Sequence, residues 1–199
     1  MRRTMIFTAA LALSVAVGAC AGDTTPDATN TATGARTGEA VGTTGSIDAD
    51  REFVTEQLAM GTGEIELGRL AQQRGTHPEV KEFGALMVKE HQMAAEELKP
   101  IAARANTGRE TAAKTGDHDD HQEAFEELSK LSGREFDRKY IEEMIDDHEE
   151  GIADVERKAE NASDPDVKAW AAKTLPTMRQ HLERAKSIKE ALDRAGDQQ

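Results

Sequence analysis

The chain has 199 residues, 38 of them acidic against 25 basic, with a formal charge of −13 and only 4% aromatics. That balance excludes a nucleic-acid binder, which needs a basic face for phosphates, and a single cysteine excludes a disulfide framework. Metal cations and basic protein partners stay open, and the wealth of Ala, Glu, Lys, Leu and Arg favours helices over a β-sandwich or barrel.

The N-terminus reads Met1-Arg2-Arg3, then an apolar run from Met5 to Val17, then Gly18-Ala19-Cys20. A run of about 13 residues is too short to span a bilayer of ~30 Å, and with its basic start it reads as an export signal. The only cysteine follows Gly-Ala directly, which resembles the bacterial lipobox. That resemblance implies a signal peptide over 1–19 and a lipid on Cys20 that anchors the protein in the cell envelope. Ala21, in place of Asp, points to the outer membrane, facing the periplasm. A plain secretory signal with an unmodified cysteine is the alternative. Without Arg2 and Arg3 the charge deepens to −15, from 23 basic and 38 acidic residues. Residues 20–47 are rich in Thr, Ala, Gly and Asp, bury too little to offset their ordering entropy, and read as a flexible tether.

From residue 48 to 199 the pattern is that of one helical domain. The spacing predicts a first helix over 50–74, stopped by Gly75. A second starts at Thr76-His77-Pro78-Glu79, read as a capping box, and runs to about Ala105, with Pro100 set to bend or end it. A third starts at Ser132-Gly133-Arg134-Glu135, a second capping box, and runs to about Asn161. A fourth starts at Asp164-Pro165 and ends near Gly196, with Pro176 set to kink it. Short links make two antiparallel hairpins. The link of about 26 residues between them predicts a crossover, with a short helix over 123–131 carrying Phe125, Leu128 and Leu131. The predicted fold is therefore all-α, a ferritin-like four-helix bundle, with an up-down bundle carrying a long loop as the alternative.

Each long helix carries an apolar seam with steps of three and four. The seam breaks once per helix, at Glu64 (between Met60 and Leu67), His91 (between Met87 and Ala94), His148 (between Met144 and Ile152) and His181 (between Met178 and Ala185). At ~1.5 Å per residue, all four stand roughly 21–26 Å from their own helix start, so one layer can hold them together. A buried polar group without a partner costs ~1–3 kcal/mol. Two arrangements remove that cost: one transition-metal ion (Fe, Zn or Cu) bound by Glu64, His91, His148 and His181, or Glu64 accepting from a protonated histidine with bridging waters.

The neighbours read more plainly. Glu90 and Asp147 each precede a seam histidine, point about 100° away from it and read as solvated charges. Asp117-His118-Asp119-Asp120-His121 reads as a solvated loop, Tyr140 as packing, and Trp170 as core or interface. There is no Gly-rich phosphate loop, serine-hydrolase elbow or paired-cysteine motif, and no nucleophile–base pair that would make an enzyme.

Several stretches, taken as a set, resemble a known family: Glu52-Phe53, Glu64 with Leu67-Gly68, Met87-Val88-Lys89-Glu90-His91, Gly133 to Tyr140, His148, and Leu175 to Leu182. It is the bacterial family of predicted outer-membrane proteins of unknown function with a ferritin-like four-helix fold, and the likeness covers about residues 48–195. It implies a fold and an envelope location, with its polar core positions at Glu64, His91, His148 and His181. Di-iron proteins pair each of two histidines with a glutamate three residues earlier. Here those places hold Val88, Ile145 and Met178, so a carboxylate-bridged iron pair lacks its ligands. The function expected is a lipid-anchored envelope bundle that binds one metal ion. A metal-dependent redox or oxygen-handling enzyme, or a metal-free envelope-stress or interaction factor, is the alternative.

Overall fold

A computed structural model describes the backbone over residues 40–105 and 116–196, and side chains over 47–104 and 121–195. Cys20 and the leader lie outside the described residues. Five helices and no strand occur among the described residues: α1 (Ala40–Arg74), α2 (Pro78–Ala105), α3 (Gly116–Leu128), α4 (Gly133–Asn161) and α5 (Pro165–Gly196). The four long helices match the sequence periodicity, with three differences. α1 starts at Ala40, ten residues before Asp50 and inside the stretch read as tether. The helix expected over 123–131 instead spans Gly116–Leu128 and closes in a turn, where the Leu131 amide bonds the Leu128 carbonyl. α2 and α5 run on through Pro100 and Pro176.

The helix starts also differ from the capping boxes read in the sequence. Ser132 makes no side-chain cap bond. The Thr76 hydroxyl donates to Asp137 on α4, and Asp137 also accepts the backbone amides of Thr76 (2.9 Å) and His77 (2.8 Å). Asp164 does cap its own helix, accepting from the Asp166 and Val167 amides.

That crossed cap has a mate. Asp50, on α1, accepts the amides of Ser163 (2.7 Å) and Asp164 (2.8 Å) in the α4–α5 turn. So each hairpin ties down the turn of the other. The residues involved stand 87 positions apart: Asp50 and Asp137, Thr76 and Ser163, His77 and Asp164. The same offset relates two edge-to-face ring pairs, Phe53 on Trp170 (6.1 Å) and Tyr140 on Phe83 (6.4 Å). The two hairpins are therefore built to one plan and packed reciprocally.

The core falls into two apolar clusters. One gathers Leu67, Phe83, Met87, Leu128, Phe136, Tyr140, Met144 and Ile188. The other gathers Phe53, Leu98, Val155, Trp170, Ala171 and Met178. On every long helix one polar residue sits between the stretch feeding one cluster and the stretch feeding the other: Glu64, His91, His148 and His181. At the α1–α2 crossing, Gly68 and Gly84 meet backbone to backbone. A Cβ on Gly84 would stand 2.6 Å from the Gly68 carbonyl oxygen, so only glycine permits this approach.

Candidate metal centre

The four seam-breaking residues converge. Glu64, His148 and His181 are buried, and the His91 side chain is 13% exposed. The ring centroids of the three histidines lie 5.3–5.8 Å apart. One nitrogen from each ring is within 4.8 Å of one from each of the others.

What each ring nitrogen faces decides what the cluster can do. Nδ1 of His148 lies 2.8 Å from the Met144 carbonyl, which can only accept, so the proton of the neutral ring belongs on that nitrogen. Nε2 of His181 lies 2.7 Å from Oε2 of Glu90 and donates to it. Nδ1 of His91 lies 2.8 Å from Oε2 of Glu64, close enough for an ion pair, although that oxygen accepts no well-aligned hydrogen bond. Each ring thus turns one nitrogen toward an acceptor, by hydrogen bond in His148 and His181 and by ion-pair distance in His91. The nitrogens left over are Nε2 of His91, Nε2 of His148 and Nδ1 of His181. The first is buried with no hydrogen-bond partner among the described residues. The other two face each other at 3.2 Å, lone pair toward lone pair when both rings are neutral.

Glu64 holds a different place from the one its seam position suggested. It lies on the Nδ1 side of two rings, 2.8 Å from His91 and 3.3 Å from His148. It stands outside the group of three whose nitrogens cluster. Burial works to raise its pKa, but the charges of His91 and His148 hold it down, to about 2. Burial works to lower His91, and the Glu64 carboxylate outweighs it and raises the pKa. His181 is pushed down to about 4 by burial and by the neighbouring rings, against the pull of Glu90. The centre therefore presents a fixed carboxylate, one ring that favours its proton and one that sheds it.

Three residues read as solvated or loop-borne belong to this layer. Glu90 bonds His181, although it lies one residue from His91 on α2, because α5 packs on the side of α2 to which it points. Asp147 lies 3.6 Å from Nε2 of His121. His121 is on α3, with its side chain only 10% exposed, and its ring fills the space over Gly63. A Cβ there would come within 2.5 Å of the His121 Cγ. The side chains of Asp117 to Asp120 lie outside the described residues. Tyr140 is fully buried, stacked on Phe136, and its hydroxyl has no partner among the described residues. Burial, with the nearby charges of Glu64 and Asp147, raises its pKa, so it stays a phenol.

A cavity of about 40 Å³ opens beside the cluster between α1, α2 and α5. Glu64, Glu90, His91 and His181 reach it from one side, and Met60, Leu98, Trp170 and Met178 line the rest. Residues 35–188 match the model of a family described as a domain of unknown function (DUF4142). No curated protein and no solved structure matches the chain.

Proposed function

Since the chain belongs to that family, whose description names no activity, we propose its function from the site: a cell-envelope helical bundle that holds one first-row transition-metal ion. The ligands are His91, His148 and His181. Glu64 and Glu90 act behind the rings, fixing which nitrogen of His91 and His181 carries the proton, as carboxylates do for histidine ligands of metals.

One observation carries the reading. Nε2 of His148 and Nδ1 of His181 sit 3.2 Å apart after each ring has given its other nitrogen to an acceptor. Two bare lone pairs at that distance repel unless a cation lies between them. Two metal–nitrogen bonds of ~2.0–2.1 Å at a tetrahedral angle separate their nitrogens by about 3.3 Å. A proton carried on one of the two rings is the rival cation, and it belongs to the metal-free reading. Imidazoles suit Zn, Fe and Cu alike. A bound ion of this kind supplies Lewis acidity or redox capacity. The competing reading is a metal-free layer held by the Glu64–His91 ion pair.

The wider assignment is an export signal over 1–19, a lipid on Cys20, a tether and then the bundle. One feature supports it: the only cysteine follows Gly18-Ala19 directly, after a basic start and a short apolar run. Two hairpins with reciprocal caps, α3 lying between them in sequence, support a ferritin-like arrangement with a crossover.

Elemental analysis of the purified protein, before and after chelation, tests the metal reading. The expected result is one equivalent of metal per chain. With the ion at ~100 times its Kd, binding adds about 2.7 kcal/mol. Chelation then lowers the melting temperature by roughly 5–10 °C for a domain of this size. A chain that takes up no metal and melts unchanged after chelation is the metal-free layer.

A further inference from the structure

The methionines gather about the polar layer. Of the five beyond residue 20, four precede a seam-breaking residue by three or four positions, one helical turn: Met60 before Glu64, Met87 before His91, Met144 before His148 and Met178 before His181. Each long helix carries one such pair. Because the helices of a hairpin run in opposite directions, these turns fall on both sides of the layer. Met87 and Met144 belong to the first apolar cluster. Met178 belongs to the second. Met60 reaches Met178 over Gly151, where a Cβ would meet the Met178 Cε at 2.9 Å and the Met60 Sδ at 3.4 Å. Two thioethers therefore lie on each side of the three rings.

The 87-residue repeat singles out the same side chains. The mate of His91 is Met178, and the mate of Glu64 is Gly151. One thioether thus stands at the place equivalent to a histidine ligand, and another extends over the place equivalent to Glu64. Methionine also fills irregular gaps in apolar cores, but gap filling does not account for this placement. Away from the layer, the buried apolar side chains of both clusters are Leu, Ile, Val, Ala and aromatic ones. The fifth methionine, Met93, is 56% exposed, where no gap needs filling. It lines the α2–α5 groove beside Glu90, the carboxylate that bonds His181.

We propose that the ion this centre is built to hold is Cu(I), with thioether sulfur joining the imidazoles around it. The proposal rests on the metal reading above and narrows it to one ion. Imidazoles alone serve Zn, Fe and Cu alike, whereas soft thioethers favour Cu(I). Charge points the same way. Burying an ion costs more the higher its charge, and the one fully buried carboxylate of the layer, Glu64, is already within ion-pair distance of His91. A monovalent ion asks least of such a site.

The test uses the full chain under anaerobic, reducing conditions, with Cys20→Ser and Met93→Leu in every sample so that no thiol or exposed thioether contributes. Cu(I) is titrated against bicinchoninate, and Zn(II) against a chromophoric chelator, in this parent and in two paired variants, Met60→Leu with Met178→Leu and Met87→Leu with Met144→Leu. Leucine keeps the volume and removes the sulfur. The expected result is one equivalent of Cu(I) in the parent, and at least tenfold weaker Cu(I) binding in one or both pairs. Zn(II) binding there changes less than twofold. X-ray absorption at the copper edge of the parent is expected to show sulfur beside imidazole nitrogen, and it decides the matter if a paired variant does not fold. Zinc uptake without copper uptake, Cu(I) affinity equal in the parent and both pairs, equal losses of Cu(I) and Zn(II), or a copper shell without sulfur each overturns the proposal. Any of these assigns the methionines to packing and leaves the metal centre standing. Failure to retain copper, zinc or iron at all overturns the metal reading and this proposal with it.

Discussion

Removing the Glu90 carboxylate separates an orienting role from that of a bystander charge. The bond from Nε2 of His181 is 2.7 Å long, and the Glu90 side chain is 30% exposed. A charge-assisted bond of this kind is worth ~1.5–3 kcal/mol in total. It exists with or without metal, however, so only its differential effect enters the binding constant. That effect has two parts. Glu90 keeps the proton off Nδ1 of His181, the nitrogen facing His148, and it makes the ring a better donor to a cation. Losses of this type run ~10–100-fold in metal affinity, or about 1.4–2.7 kcal/mol. Zn(II) competition titrations of Glu90→Gln and of the parent give the number directly. Glu97→Gln is the control, because Glu97 lines the same surface groove but pairs with Lys173, at 2.6 Å. It removes an equal charge and is expected to change affinity less than about twofold, since exposed charges are screened. Equal losses in the two variants, or no loss in Glu90→Gln, refute the orienting role.

Further outcomes follow from the packing and the charges. Gly84→Ala drives a Cβ to 2.6 Å from the Gly68 carbonyl. Overpacking of this kind costs ~1–3 kcal/mol, measurable by urea unfolding, and an unchanged midpoint contradicts the close crossing. Asp50→Ala and Asp137→Ala each strip the amides of the opposite hairpin's turn. Each is expected to destabilise by about 1.5–3 kcal/mol, and the double variant to add within ~0.5 kcal/mol. Loss in only one of them breaks the reciprocity. For pH, His181 in the chelated protein has a folded pKa of about 4 against an ordinary 6.5, so its contribution is present above pH 6.5 and lost as pH falls toward 4. His91 is raised, so its contribution is present below 6.5 and lost as pH rises through its folded value. Melting temperature of the chelated protein therefore peaks near pH 6.5, and His181→Phe flattens the acid limb. An acid limb unchanged in that variant contradicts the assignment.

The parts of the molecule that were legible in the sequence are those governed by one helix at a time. Apolar spacing alone marks the four long helices, and a polar interruption at equal depth marks Glu64, His91, His148 and His181. What depends on a neighbouring helix was not legible. Glu90 lies off the seam of α2, and only the place of α5 turns it toward His181. Thr76 has the spacing of a self-contained capping box, yet the Asp137 carboxylate takes its hydroxyl and two amides together, a stronger acceptor set than Glu79 offers. His121 sits in a run of aspartates that suggests solvent, and its burial follows from Gly63 leaving room on α1. The 87-residue repeat is visible once the crossed caps indicate the offset, because few positions keep the same residue.

X-ray absorption at the zinc edge of the chain loaded with one equivalent of Zn(II) tests the central claim most directly. An acidic surface of this charge collects divalent ions on carboxylates, so uptake alone does not identify the centre. The account predicts imidazole scattering from three rings at ~2.0–2.1 Å, falling to two in His148→Leu or lost with the metal. An oxygen-only shell, identical in the parent and in His148→Leu, would contradict it.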